Sequence, residues 1–188
     1  LLARILERVG GKPYGDVIRE TVLDPLGMAD TAHEELGVVY PRLARGYQPG
    51  PGVGERAPAA YVAPDVKIGG GSLIASATDL VRFARALDTG DLIPAALADS
   101  LLGAGPVRDL SGRAPGFNAV VMRNRSRDWT VVVLSNSYAV TANSLAPALL
   151  GLLGSGAAAL PDLTPAPSGL DWSGAYAWRP PFDNTFTL

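Results

Sequence analysis

The sequence predicts an α+β domain in which an antiparallel sheet is flanked by helices. Three observations carry that expectation. A capped amphipathic helix occupies the middle of the chain from Ser76 to Gly90. Two β-prone runs, Phe117 to Met122 and Trp129 to Leu134, follow it on either side of a short polar segment. An apolar helix then begins near Ser144. With 188 residues and 47% hydrophobic content, the chain is long and apolar enough to bury one ordinary core.

In chain order, Leu2, Ile5, Leu6 and Val9 recur at helical spacing and stop at Gly10-Gly11, which predicts a first helix with no N-cap ahead of it. A second helix is expected from Tyr14 to about Leu23, with Tyr14, Ile18 and Val22 on one face and Pro25 and Gly27 closing it. Val39 to Gly71 is rich in Pro and Gly, so an irregular surface excursion without packed elements is expected there. In the central helix, Ser76 with Asp79 forms a capping box, Leu80, Phe83, Ala84 and Leu87 form the apolar stripe, and Gly90 ends it. Arg123 to Asp128 reads as the solvated tip of a hairpin. The Val131-Val132-Val133-Leu134 run, apolar on both faces, predicts a strand inside a sheet covered by helices. The last helix should run from about Ser144 to Leu153, capped by Asn143 or Ser144, with Pro147 in its first turn and Leu145, Leu149 and Leu152 inward. Residues 1–155 thus form one unit, 156–169 a Pro/Ala-rich linker, and 170–188 the start of a small β-domain or terminal strand. The first residue enters helical periodicity midway and Phe186-Thr187-Leu188 stops within a strand-like run, so a fragment or processed chain is expected.

Composition narrows the chemistry. Sixteen Lys and Arg against eighteen Asp and Glu leave a net charge of −2, so no nucleic-acid partner is expected. The chain has no cysteine, which removes disulfides, thiolate metal sites and a cysteine nucleophile, and no apolar run approaches the roughly 18 residues of a membrane span. Its lysines, Lys12 and Lys67, have no serine three residues earlier, and no tyrosine begins a Tyr-x-Asn triplet. The single histidine, His33, is followed by Glu34-Glu35 and not by His-Glu-x-x-His, so no metal site and no cofactor are expected and His33 reads as an ordinary loop or helix-end residue. Gly69-Gly70-Gly71 lacks the lysine of a phosphate loop, and the sequon Asn124-Arg125-Ser126 is incidental in a charged turn.

Four stretches together resemble a known family. Asp24-Pro25-Leu26-Gly27-Met28-Ala29-Asp30-Thr31 is similar to the Pro-Leu-Gly-Met-x-x-Thr signature of the bacterial-type serine β-lactamase-related proteins, which include class C β-lactamases, D-alanyl-D-alanine carboxypeptidases and related esterases. Ala44-Arg45-Gly46-Tyr47, then Gly70-Gly71-Ser72-Leu73-Ile74-Ala75-Ser76-Ala77-Thr78-Asp79, then Val131-Val132-Val133-Leu134-Ser135-Asn136 follow in that family's order. The resemblance covers about residues 1–155, and Trp172-Ser173-Gly174-Ala175-Tyr176 resembles the start of the small β-domain some members carry.

The resemblance implies a β-lactamase-like fold, incomplete on its N-terminal side, and hydrolysis of an amide or ester through an acyl-serine intermediate. The family's Ser-x-x-Lys and Tyr-x-Asn would lie ahead of Leu1, so no catalytic residue is assigned here. The third motif, His/Lys-Ser/Thr-Gly, aligns with Leu110-Ser111-Gly112, which puts leucine at the His/Lys position and makes Ser111, Gly112 and Arg113 the substrate-edge and oxyanion strand. Arg108 shares a strand face with Leu110, and Arg113 shares that of Ser111. Both a replaced positive charge and ordinary surface arginines stay open. The family's Tyr-Gly-x-Gly-Trp strand has no counterpart between Gly90 and Leu110. A small-molecule or peptide substrate, a homo-oligomer and either an exported or a cytoplasmic location are compatible with the resemblance. A non-catalytic binding module of the same fold is the rival reading.

Overall fold

The computed structural model describes residues 1–52, 55–137 and 142–155; the expected linker and the segment 170–188 lie outside these. Helix α1 spans Leu2–Gly10 and stops where Gly11 adopts φ 64°, as the Gly-Gly pair predicts. Its apolar stripe faces outward: Leu2 is 75% exposed and Val9 81%, and Ala3 is the buried residue of the helix. The second helix begins as α2 (Tyr14–Ile18) but widens into a π-helical stretch over Arg19–Leu23. The extra residue in that turn rotates the buried face, so Leu23 is buried in place of the expected Val22.

The Pro/Gly-rich stretch holds more structure than its composition suggests. Strand β1 (Ala32–His33) precedes it, and within it β2 (Tyr47–Pro49) pairs antiparallel with β3 (Arg56–Pro58), with a 3-10 turn following over Pro64–Lys67. Strand β4 (Leu73–Ile74) then returns to β1. Helix α3 (Ala77–Thr89) has the expected cap, with the Asp79 amide donating to Ser76 Oγ, and ends at Gly90 with φ 86°. The stretch that lacks a family strand folds instead as helix α4 (Ala95–Leu102), for which the sequence raised no expectation.

The main sheet has the order β5-β6-β7, with β5 at Val107–Ala114, β6 at Phe117–Asn124 and β7 at Trp129–Ser135, all antiparallel. The expected hairpin is β6–β7, but the central strand is β6; among the described residues β7 lies at the sheet's edge, not inside it. Helix α5 (Ala142–Ser155) starts two residues earlier than expected, which puts Pro147 in the second turn. It covers one face of the sheet: Val120 and Val131 pack with Ala142 and Ala146, joined by Met122, Val133, Leu149 and Leu150. The fully buried residues of the helix are therefore Ala142 and Ala146; the expected Leu149 packs against them with Leu150, and all of Leu145, Leu149, Leu150 and Leu152 are half-buried. Small residues at the contact let the helix approach the sheet closely. The opposite face meets the end of α3, where Arg108 and Arg123 both reach Asp88. Helices on both faces of an antiparallel sheet make this the α+β fold the sequence predicts.

Candidate functional site

Strand β5 carries the motif, and its register fixes where its backbone points. Pro115 and Gly116, the latter at φ 81°, connect Ala114 to its partner Phe117 in a two-residue turn. Ala114 and Phe117 thus form the closing hydrogen-bonded pair, and alternate residues Gly112, Leu110 and Arg108 bond to β6. The amides and carbonyls of Arg113 and Ser111 point away from β6, toward the outer edge of the sheet. Side chains alternate in the other sense: Arg108, Leu110, Gly112 and Ala114 face α3, whereas Ser111 and Arg113 face the α5 side and are exposed.

Both sequence readings of Arg108 fail on its burial. It is 2% exposed and donates to Asp88 Oδ1 at 2.6 Å, to the carbonyls of Leu87 and Gly103, and to Asp99. It is neither a surface arginine nor a cation available beside Leu110. The hairpin arginines differ from expectation in the same way. Arg123 is 6% exposed and reaches Asp88 and Asp128, Arg125 pairs with Asp88 at 3.2 Å and Asp99 at 2.9 Å, and only Arg127 lies outside, over the Trp129 ring. Burial alone pulls the Arg123 guanidinium down, but hydrogen bonds to Asp128 and Asp88 outweigh it and raise the group above its ordinary value. The same hydrogen bond from Arg123 holds the Asp128 carboxyl below its ordinary value.

The turn end of the ladder is held by close approach and amide hydrogen bonds. A Cβ on Gly116 would lie 2.5 Å from Ala59 Cβ and 2.7 Å from Gly46 Cα, and one on Gly46 would lie 2.7 Å from the Phe117 ring. The Tyr47 amide donates to the Asn136 carbonyl at 2.9 Å, and Asn136 Nδ2 donates to the Arg45 carbonyl at 3.0 Å. Ala-Arg-Gly-Tyr, Pro-Gly-Phe and Leu-Ser-Asn, far apart in sequence, therefore meet at one place. Asn118, 1% exposed, completes it: its Nδ2 donates to the Gly112 carbonyl and to Asn143 Oδ1, and its Oδ1 accepts the first amide of α5, from Ala142.

Two functional-looking groups elsewhere are structural or remote. Asp79, fully buried, accepts from Thr31 Oγ1 and the Asp30 amide, both at 2.8 Å, which ties the Pro-Leu-Gly-Met stretch to α3. The capping box hid this role, because its spacing assigns the Asp79 carboxylate to the Ser76 amide, whereas that carboxylate accepts from Thr31, Asp30 and Arg82. His33 lies in β1, edge-on to Tyr14 at 5.4 Å, with Nε2 closed off from solvent and unpartnered. Burial raises the Tyr14 phenol above its ordinary value. Two open clefts of about 370 and 230 Å³ flank His33 and do not reach β5. Among the described residues no group of acidic and histidine side chains forms a metal cluster, and no helix is long and apolar enough to cross a membrane.

Helices on both faces of an antiparallel sheet whose edge strand carries the motif form a β-lactamase-like fold. The chain belongs to the beta-lactamase family, whose sequence model matches residues 1–153. A penicillin binding protein from Bacillus halodurans is similar in fold, with a TM-score of 0.69 at 20% identity over 80% of this chain and 53% of that one. D-amino acid amidase from Ochrobactrum anthropi SV3 gives 0.61 at 21% identity over 76% and 48%. The octameric penicillin-binding protein homologue from Pyrococcus abyssi gives 0.67 at 19% identity over 81% and 40%. The chain thus spans about half the length of these solved structures. No curated protein matches it in sequence.

Proposed function

We propose that the chain supplies the substrate edge of a serine hydrolase that cleaves an amide or ester through an acyl-serine intermediate. The observation that carries this reading is the β5 backbone. Arg113 and Ser111 direct their amides and carbonyls away from β6, beside a turn that draws three family motifs together. A substrate amide can pair with such an edge, and the Arg113 N–H is placed to donate to the oxyanion of a tetrahedral intermediate. One such donor contributes about 3 to 4 kcal/mol of transition-state stabilisation. Ser111 and Gly112 line the same edge. In the reaction a serine oxygen bonds to the substrate carbonyl carbon, the alcohol or amine leaves with the proton, and water then breaks the acyl-serine bond to release the acid. No serine in residues 1–188 has lysine three positions on, and on this reading the nucleophile and base are supplied by polypeptide outside them.

Leu110 favours the second reading, a non-catalytic binding module, because leucine cannot hold a substrate carboxylate or tune a neighbouring base. Incubating the longest natural form of the protein with a chromogenic β-lactam, a p-nitrophenyl ester and a fluorophosphonate probe separates the two. Labelling with turnover supports the enzyme; neither labelling nor turnover leaves the binding module. The octameric relative supports a homo-oligomer, for which light scattering of the purified protein is the test.

A further inference from the structure

We infer that the edge receives an uncharged, apolar substrate group on the α3 side of the sheet, so that the preferred substrates are neutral esters or amides and not carboxylate-bearing ones. This rests on the hydrolase reading above and adds to it the class of substrate. The register puts Leu110, Gly112 and Ala114 of β5, Phe117, Ala119 and Val121 of β6, and Val132 and Leu134 of β7 on that face. None carries a charge.

The shelf is open where the edge strand needs it open. A Cβ on Gly112 would meet nothing within 4 Å, and Leu134, across Ala119 in the same cross-strand row, is 44% exposed. Phe117 closes the turn end, its ring against Gly46. The cations of this face, Arg108 and Arg123, lie at the far end of the ladder and are held by Asp88, Asp99 and Asp128. Arg113 points to the opposite face, as its odd spacing from Leu110 requires. A carboxylate placed over Gly112 would lose water and find no compensating charge among the described residues of this sheet face, whereas an alkyl or aryl group would cover Leu110 and Leu134.

The test compares p-nitrophenyl butyrate with mono-p-nitrophenyl succinate on the longest natural form of the protein. The two share a leaving group and differ by one carboxylate. Running both at about 1 M salt shortens the screening length to about 3 Å and removes general repulsion by the protein's net charge. The expected kcat/KM favours the butyrate by about tenfold or more, and Leu110→Lys narrows that ratio by about tenfold. Leu134→Lys, at an exposed position on the same shelf, is the second variant should Leu110→Lys not fold. Equal rates, a preference for the succinate, or a ratio unmoved in both variants overturns the inference while leaving the hydrolase standing. No turnover of either ester together with no fluorophosphonate labelling overturns the hydrolase reading, and this inference with it.

Discussion

The two ends of the β5–β6 ladder are held by opposite means. At the end near Arg108, guanidinium groups from both strands share the carboxylates of Asp88, Asp99 and Asp128. At the turn end, the missing side chains of Gly46 and Gly116 let backbones touch, and one buried amide, Asn118, links strand to helix. The difference shows how a strand can be anchored firmly and still present an uncluttered edge. On the face toward α3 its fixed charge is collected at one end, while Arg113 near the turn lies on the opposite face.

The largest effect expected from breaking this contrast comes at the charged end. Asp88→Ala leaves Arg108 and Arg123 short of their shared carboxylate inside the protein. The expected loss is about 3 to 5 kcal/mol in urea unfolding, and a loss below about 1 kcal/mol would mean that the cluster does not anchor the strand. At the turn end, Gly116→Val puts a branched side chain at positive φ against Ala59 and Gly46 and should cost about 3 kcal/mol, read as a shift of the urea midpoint. Asn118→Ala strips a partner from the Ala142 amide and should cost about 1 to 3 kcal/mol. Hydrogen exchange would then show faster opening at the start of α5, and unchanged exchange there would count against the link.

The smallest effect is pH-dependent. Asp128 has a folded-state value below its unfolded one, so its contribution is complete above the ordinary carboxylate range and is lost as pH falls through the lowered value. Thermal unfolding of Asp128→Asn should therefore lie slightly below wild type at neutral pH, and the two curves should converge in acid. A constant gap across that window would assign the difference to something other than the charge.

Much of this contrast was legible in the sequence as periodicity and little of it as depth. The Ser76 cap and the stripe through Leu87 located α3, and two β-prone runs located β6–β7, because local spacing alone decides those elements. Strand alternation also put Arg108 on the face of Leu110. What alternation cannot report is that Asp88 and Asp99, 20 and 9 residues away, close over the guanidinium. Asp79 was hidden for a related reason, since its partners Asp30 and Thr31 lie 49 and 48 residues earlier. The substrate edge was readable as a motif. The direction of its amides needed the two-residue turn to fix the pairing phase.

The outward stripe of α1 has a practical consequence at the bench. Leu1, Leu2 and Val9 are 97%, 75% and 81% exposed, with Ile5 and Leu6 about half so, on one side of a single helix. A preparation of residues 1–188 should behave as an adhesive: held on hydrophobic-interaction resin, brightening 8-anilinonaphthalene-1-sulfonate and clouding as salt is raised. Serine at Leu2 and Val9 should release it from the resin at higher salt without unfolding it.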